Sequence, residues 1–444
     1  MIEPDPSSTF GNAPGLVPDG DSSSAETTGR YVVVFAEGDN APSAVLESAG
    51  LSNVADSRDF RGREVDVSET SGADATVFGT LGIAVVSAEP EQIGALQTSH
   101  EAQGAVLSVS PELVHHVLQQ APSDYLRGYR DAVEDLDTRL NGGNGRAGGT
   151  ATAAAPTVPI FQDTAQFTWG LQAVQANSSS WSGRGIKVAV LDTGFDSTHP
   201  DFAGRAISTR SFIQGESPQD GHGHGTHCIG TSCGPKAPST GPRYGVAWEA
   251  EIFAGKVLSN AGSGSDAGIL AGIDWALTNG CAIISMSLGA NVPQVHPPYV
   301  AAGKRALDRG TLIIAAAGNN ARRLQGNVGF VGTPANSPYI MAVGALDHQL
   351  DVTFFSARSL AVRGGQVDVA GPGWQVYSSW LMPARYRSIS GTSMATPHAA
   401  GVAALWAQAT GFRGRELWSA LVQESDRLTA PSVDVGSGLV IAPQ

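Results

Sequence analysis

Three histidines, His222, His224 and His227, crowd the stretch DGHGHGTHCIG between Asp220 and Gly230. Imidazoles at this spacing could bind a metal or supply a general base. Ser393, in SGTSMATPHAAG, opens an apolar run that reads as a buried helix. The free amides and positive dipole end there would suit a developing negative charge, although helix capping is the ordinary duty of a serine so placed. Asp192 closes the run GIKVAVLD, and Asn319 closes TLIIAAAGN. The order Asp, His, Ser is one of three found in serine triads on unrelated folds. In such a set the carboxylate orients the imidazole, which takes the hydroxyl proton. A zinc reading would use His222, His224 and a third ligand.

These groups need elements to hold them. GIKVAVLD, EIFAGKVL, AIISMSLG and TLIIAAAGN read as strands. DAGILAGIDWALTNG and PYVAAGKRALDRG read as helices between them. The alternation predicts an α/β fold with a doubly wound, mostly parallel sheet, whose ligands sit beyond the carboxyl ends of the strands. Asp192, Ser287 and Asn319 fall at or just past such ends.

The N-terminal part has a different grain. Residues 1–29 are rich in Ser, Pro, Gly and Asp and are expected to be disordered. Residues 30–118 carry a βαββαβ pattern, with strands at Tyr31–Phe35, near Arg63–Val67, across Thr76–Ala88 and at Gly104–Pro111. That is a small α+β, ferredoxin-like unit. Residues 119–164 hold a helix at 124–140 and a Gly/Ala/Pro linker. The remaining span, 165–444, is the α/β domain.

Composition narrows the function. The net charge is −14 and the pI about 5.1, which argues against a nucleic-acid partner. No apolar run approaches the roughly 18 residues of a membrane span, and the start lacks a signal-peptide pattern. With three cysteines, at least one thiol is free.

LDTG, HGTHCIGT, AAAGN and SGTSMATPHAAG, in that order, resemble the signature blocks of the subtilisin-like serine proteases, the subtilase family, over about residues 165–442. HGTHC resembles the proteinase K branch in particular. The resemblance implies a serine endopeptidase with Asp192, His224 and Ser393 as triad and Asn319 as oxyanion donor. His227 becomes a buried structural histidine, His222 a solvent-facing loop residue, and Asp196 and Asp201 loop or capping groups. Protein or peptide substrates would add as a strand between Gly262, Ser263, Gly264 and Ser287, Leu288, Gly289. An S1 pocket walled by Ser287–Gly289 and Ala316–Gly318, with its floor near Gly332, would take a large apolar side chain. Arg322 and Arg323 could tilt nearby subsites toward acidic residues. A catalytically silent scaffold and a peptide ligase are the alternatives.

The same resemblance implies no cofactor for the chemistry. SCGPKAPSTGPRYGVAW lacks the carboxylates of a high-affinity calcium loop, whereas Asp347 matches a weaker calcium site. Thr333–Pro334 falls where the family has a cis bond. Residues 30–118 resemble an inhibitory propeptide, an intramolecular partner whose self-cleavage is expected near Leu118, with a second trim in linker 141–150. Cys228 is expected beneath the catalytic imidazole, and Cys233 is free to pair with Cys281. The family habit is a secreted monomer without membrane attachment. The missing signal pattern leaves a cytoplasmic site as the alternative.

Overall fold

The computed structural model describes residues 25–37, 42–60, 70, 72–118 and 161–444. The expected strand near Arg63–Val67, the helix at 124–140 and the linker at 141–160 lie outside the described residues.

The N-terminal unit has strands β1 (Thr27–Phe35), β2 (Val54–Asp56), β3 (Ala75–Phe78), β4 (Ile83–Val86) and β5 (Val106–Val117). Their order is β5-β1-β4-β3-β2. The run Thr76–Ala88 is thus a hairpin, broken where Gly82 takes a positive φ of 55°. Strand β1 already starts at Thr27, which pairs with Leu113, so the expectation of disorder through residue 29 fails at Thr27–Gly29. Alternation along β1 and β4 buries both faces. Val33, Phe35, Ala84 and Val86 meet Leu46 and Leu96 of the helices Pro42–Ser48 and Pro90–Gln103. Val32, Val34, Ile83 and Val85 instead share a core with Ile269, Ile273 and Tyr299 of the following domain.

That domain carries β6 (Lys187–Asp192), β7 (Ile207–Ser211), β8 (Glu251–Lys256), β9 (Ser263–Ser265), β10 (Ile283–Met286), β11 (Leu288–Gly289), β12 (Leu312–Ala316), β13 (Met341–Leu346), β14 (Val369–Pro372), β15 (Val376–Ser379) and β16 (Tyr386–Ile389). Seven form one sheet, ordered β14-β13-β12-β10-β6-β8-β7, with every pairing parallel. Both faces of the central strands β6, β10 and β12 are buried, which is why these read as continuous apolar runs. Val188, Val190 and Ile314 pack on one side with the helices His224–Cys233 and Thr392–Thr410. Ala189, Leu191 and Ile313 pack on the other with Asp266–Thr278 and Pro297–Asp308.

Cys233 belongs to the first of these cores and Cys281 to the second, on opposite faces of the sheet. All three cysteines are free thiols, so a Cys233–Cys281 pair is absent. Thr333–Pro334 is cis, as the resemblance implied, and Met382–Pro383 is a second cis bond that the sequence did not signal. No helix among the described residues is long and apolar enough to cross a membrane.

Candidate active site

Asp192 ends β6 at the sheet's carboxyl rim, buried to 1% exposure. His224 is the first residue of the helix His224–Cys233, and its Nδ1 lies 2.8 Å from Asp192 Oδ1. Asp220 holds that helix start. Its carboxylate accepts the amides of Gly223 at 2.8 Å and Thr226 at 2.9 Å, and the Thr193 hydroxyl at 2.9 Å. Gly223 has a φ of 102°, and a Cβ there would come within 2.5 Å of the Trp380 ring. Sequence reading missed Asp220, although an Asp ahead of a Gly-rich helix start is a capping signal.

Ser393 is the second residue of the helix Thr392–Thr410 and is buried. Its Oγ donates to the Ser287 carbonyl at 3.0 Å, and the Ser287 hydroxyl donates back to the Ser393 carbonyl at 2.8 Å. The Ser–His hydrogen bond that a resting triad would show is therefore not made here, and His224 Nε2 has no partner. Catalytic hydrogen bonds are often loose outside the reacting complex.

The cleft is filled by the chain itself. Strand β5 runs beyond Pro111, where the sequence pattern ended it, because its last residues find new strands to pair with. His115 pairs with Gly264 and His116 with Ser263 on one side, and Val117 with Leu288 on the other. Val117 N–H donates to the Gly262 carbonyl at 3.0 Å, and Leu118 N–H to the Ser287 carbonyl at 3.4 Å. Asn319 Nδ2 donates to the Leu118 carbonyl. The amide is oriented by its own Oδ1, which accepts the Thr392 amide and hydroxyl, each at 2.9 Å.

Glycine is needed along these walls. A Cβ at Gly264 would strike the Val257 carbonyl at 2.1 Å, and one at Gly289 would come within 3.0 Å of Leu118 Cδ1. Gly332 donates to the Ala317 carbonyl at 3.1 Å, and a Cβ there would meet the Ala290 carbonyl. It thus ties the Ala316–Gly318 segment to the segment after β11.

Other expectations divide. His227 is fully buried, its Nε2 held 2.9 Å from the Val376 carbonyl, and burial presses its pKa down to about 3. Asp196 and Asp201 accept local donors, among them Thr198 and Tyr244. His222 is not solvent-facing: it is half-buried beside Gly262, and burial lowers its pKa. Arg323 is committed to Asp434 at 2.6 Å, and Arg322 folds back onto the Asn319 and Ala321 carbonyls, so neither is a free cation at the cleft.

Among the described residues, Asp192, His224 and Cys228 are the acidic, His or Cys side chains clustered closely enough to hold an ion, their atoms within 4.8 Å of one another. His222 is not among them. Asp347 Oδ1 accepts the amides of Gln349 at 2.9 Å and Asp351 at 3.0 Å, closing a turn. Burial raises its pKa.

A parallel α/β sheet with an Asp, a His and a Ser, in that chain order, at its carboxyl rim matches a subtilisin-like fold. The subtilase family model, peptidase S8, matches residues 183–438, and the chain belongs to that family. It is 41% identical over 261 residues to M-protease of Shouchella clausii, covering 56% of this chain and 64% of that one. It is likewise 41% identical over 252 residues to the cuticle-degrading protease of Metarhizium anisopliae, covering 53% and 59%. Thermitase of Thermoactinomyces vulgaris is 37% identical over 291 residues, covering 65% of this chain and 97% of its own. The chain thus spans less than two thirds of the first two relatives.

Proposed function

We propose that this chain is a serine endopeptidase made as a self-processing zymogen, acting on protein and peptide substrates. The observation that carries the reading is the Leu118 carbonyl resting on Asn319 Nδ2, while the residues before it lie as a strand between the two cleft walls. A chain so placed has the geometry of an acyl group after cleavage. Residues 25–118 then act as the intramolecular inhibitor, and Leu118, against Gly289, fits a preference for large apolar P1 side chains.

In the forward reaction Ser393 Oγ attacks the peptide carbonyl and His224 Nε2 takes its proton. His224 returns that proton to the leaving amine, and water hydrolyses the acyl-enzyme by the same route. Asp192 holds the imidazole by its Nδ1 and stabilises the imidazolium. Asn319 Nδ2 and the Ser393 amide bind the oxyanion. These groups complete the chemistry. Calcium at Asp347 is proposed only as a stabiliser. We also propose that the enzyme works as a monomer outside the cell, where a cleft kept filled until release protects the producer.

A fluorophosphonate probe tests the reading. It should label Ser393 in the processed chain, and peptide digests should contain hydrolysed, not joined, products. An unlabelled Ser393 would point to a silent scaffold, and joined products to a ligase.

Cys228 supplies an independent check. Its Sγ lies 3.8 Å from His224 Nδ1 and 3.7 Å from the Ser393 carbonyl oxygen. Burial pushes its thiol pKa well up, so alkylators that need a thiolate should react slowly. A small mercurial should inactivate the enzyme while iodoacetamide does not, and Cys228→Ala should remove that sensitivity. Unchanged sensitivity in the variant would contradict the placement.

A further inference from the structure

His115 is fully buried, although its strand crosses an otherwise open cleft. Its neighbour His116 keeps a side chain 52% exposed, the alternation expected of an extended peptide. With Leu118 at P1, His116 stands at P3 and His115 at P4. This count rests on the processing reading above.

The pocket that receives His115 is polar. Its Nε2 lies 2.7 Å from Asp266 Oδ1. Tyr299 donates its hydroxyl to the same oxygen at 2.8 Å and stands edge-on to the His115 ring. His296 Nε2 lies 2.9 Å from Asp266 Oδ2. Asp266, His296 and Tyr299 all come from the protease domain, while the Leu113 N–H of the N-terminal unit adds a donor to Asp266 Oδ2 at 2.7 Å. Asp266 also opens the helix Asp266–Thr278, where the dipole favours a negative charge. Burial alone would raise the Asp266 pKa, but hydrogen bonds from His115 and His296 outweigh it and hold the carboxyl well below the usual range.

We propose that Asp266, Tyr299 and His296 form a selective P4 subsite that takes histidine from the substrate, reading one imidazole N–H through Asp266 Oδ1. The buried imidazole needs one donor accepted, and His115 Nδ1 has no partner of its own. Phenylalanine would fill much of the space but leave the ionised carboxylate one donor short. Alanine would leave a void as well. A site built to accept a substrate hydrogen bond discriminates strongly against an analogue lacking it. Backbone pairing along the cleft tolerates many sequences, and P4 is the position where this chain becomes choosy.

The test uses the protein after self-processing has released the N-terminal unit, and His115 with it, from the cleft, and three matched peptides with Leu at P1, differing only in His, Phe or Ala at P4. The His peptide should show a kcat/KM roughly 10- to 100-fold above the others. Asp266→Asn should shrink that ratio to within about threefold, since a neutral amide accepts the N–H more weakly. The wild-type comparison decides by itself if the variant does not fold. Turnover of all three peptides without a preference for His overturns the inference, as does a preference that survives Asp266→Asn undiminished. No turnover of any peptide overturns the protease reading, and this inference with it.

Discussion

Ser393→Ala should purify as one intact chain of 45.6 kDa, with peptide turnover reduced by about 10⁶-fold, the size known for removing the triad serine in subtilisin. The wild type, expressed alongside, should arrive cut. The substitution removes only an oxygen that donates to the Ser287 carbonyl, so the fold should survive. The N-terminal unit of this uncut variant should stay seated, because Val32, Val34 and Ile83 share a core with Ile269 and Ile273. A variant that still processes itself in a host lacking other proteases would exclude Ser393 as the nucleophile.

Asn319→Ala should lower kcat by about 10²–10³ with little change in KM, because the lost donor matters most when the carbonyl oxygen becomes charged. Asn319 Oδ1 holds the Thr392 amide and hydroxyl, so Thr392→Val should give a smaller loss of the same kind by loosening the amide's orientation. Steady-state kinetics on a Leu-P1 peptide separate the cases. A raised KM at unchanged kcat would mean that Asn319 binds substrate and transition state equally.

Much of this was legible in the sequence because the chemistry is carried by short, local blocks. Asp192 ends a strand, and His224 and Ser393 open helices, so each could be placed from its own neighbours. The apolar runs that became β6, β8, β10 and β12 showed their parallel, doubly buried setting directly. Strands β7, β13 and β14 escaped notice. Arg210 interrupts β7, while Gly344 and Gly371 thin out the patterns of β13 and β14. The length of β5 was not readable, since its last residues are ordered by Gly262–Ser265 and Leu288–Gly289, roughly 150 residues or more away in sequence. The Asp266 pocket was hidden for the same reason. Its members come from three separate segments, and a His in SPELVHHVLQQ looks like any polar residue in a tail. Ser287 was legible as a wall of the cleft, but its exchange of hydrogen bonds with Ser393 depends on tertiary contact.

The central claim is that this active site cuts its own chain after Leu118, whose carbonyl it now holds. The mass of the small N-terminal fragment released from freshly purified wild-type protein tests this most directly, because later trimming of the linker leaves that fragment's C-terminus untouched. The account predicts a fragment ending at Leu118, with its carboxylate where Asn319 Nδ2 now meets the Leu118 carbonyl. A fragment that runs past Leu118 into the linker, with the Leu118–Gln119 bond intact, would contradict it.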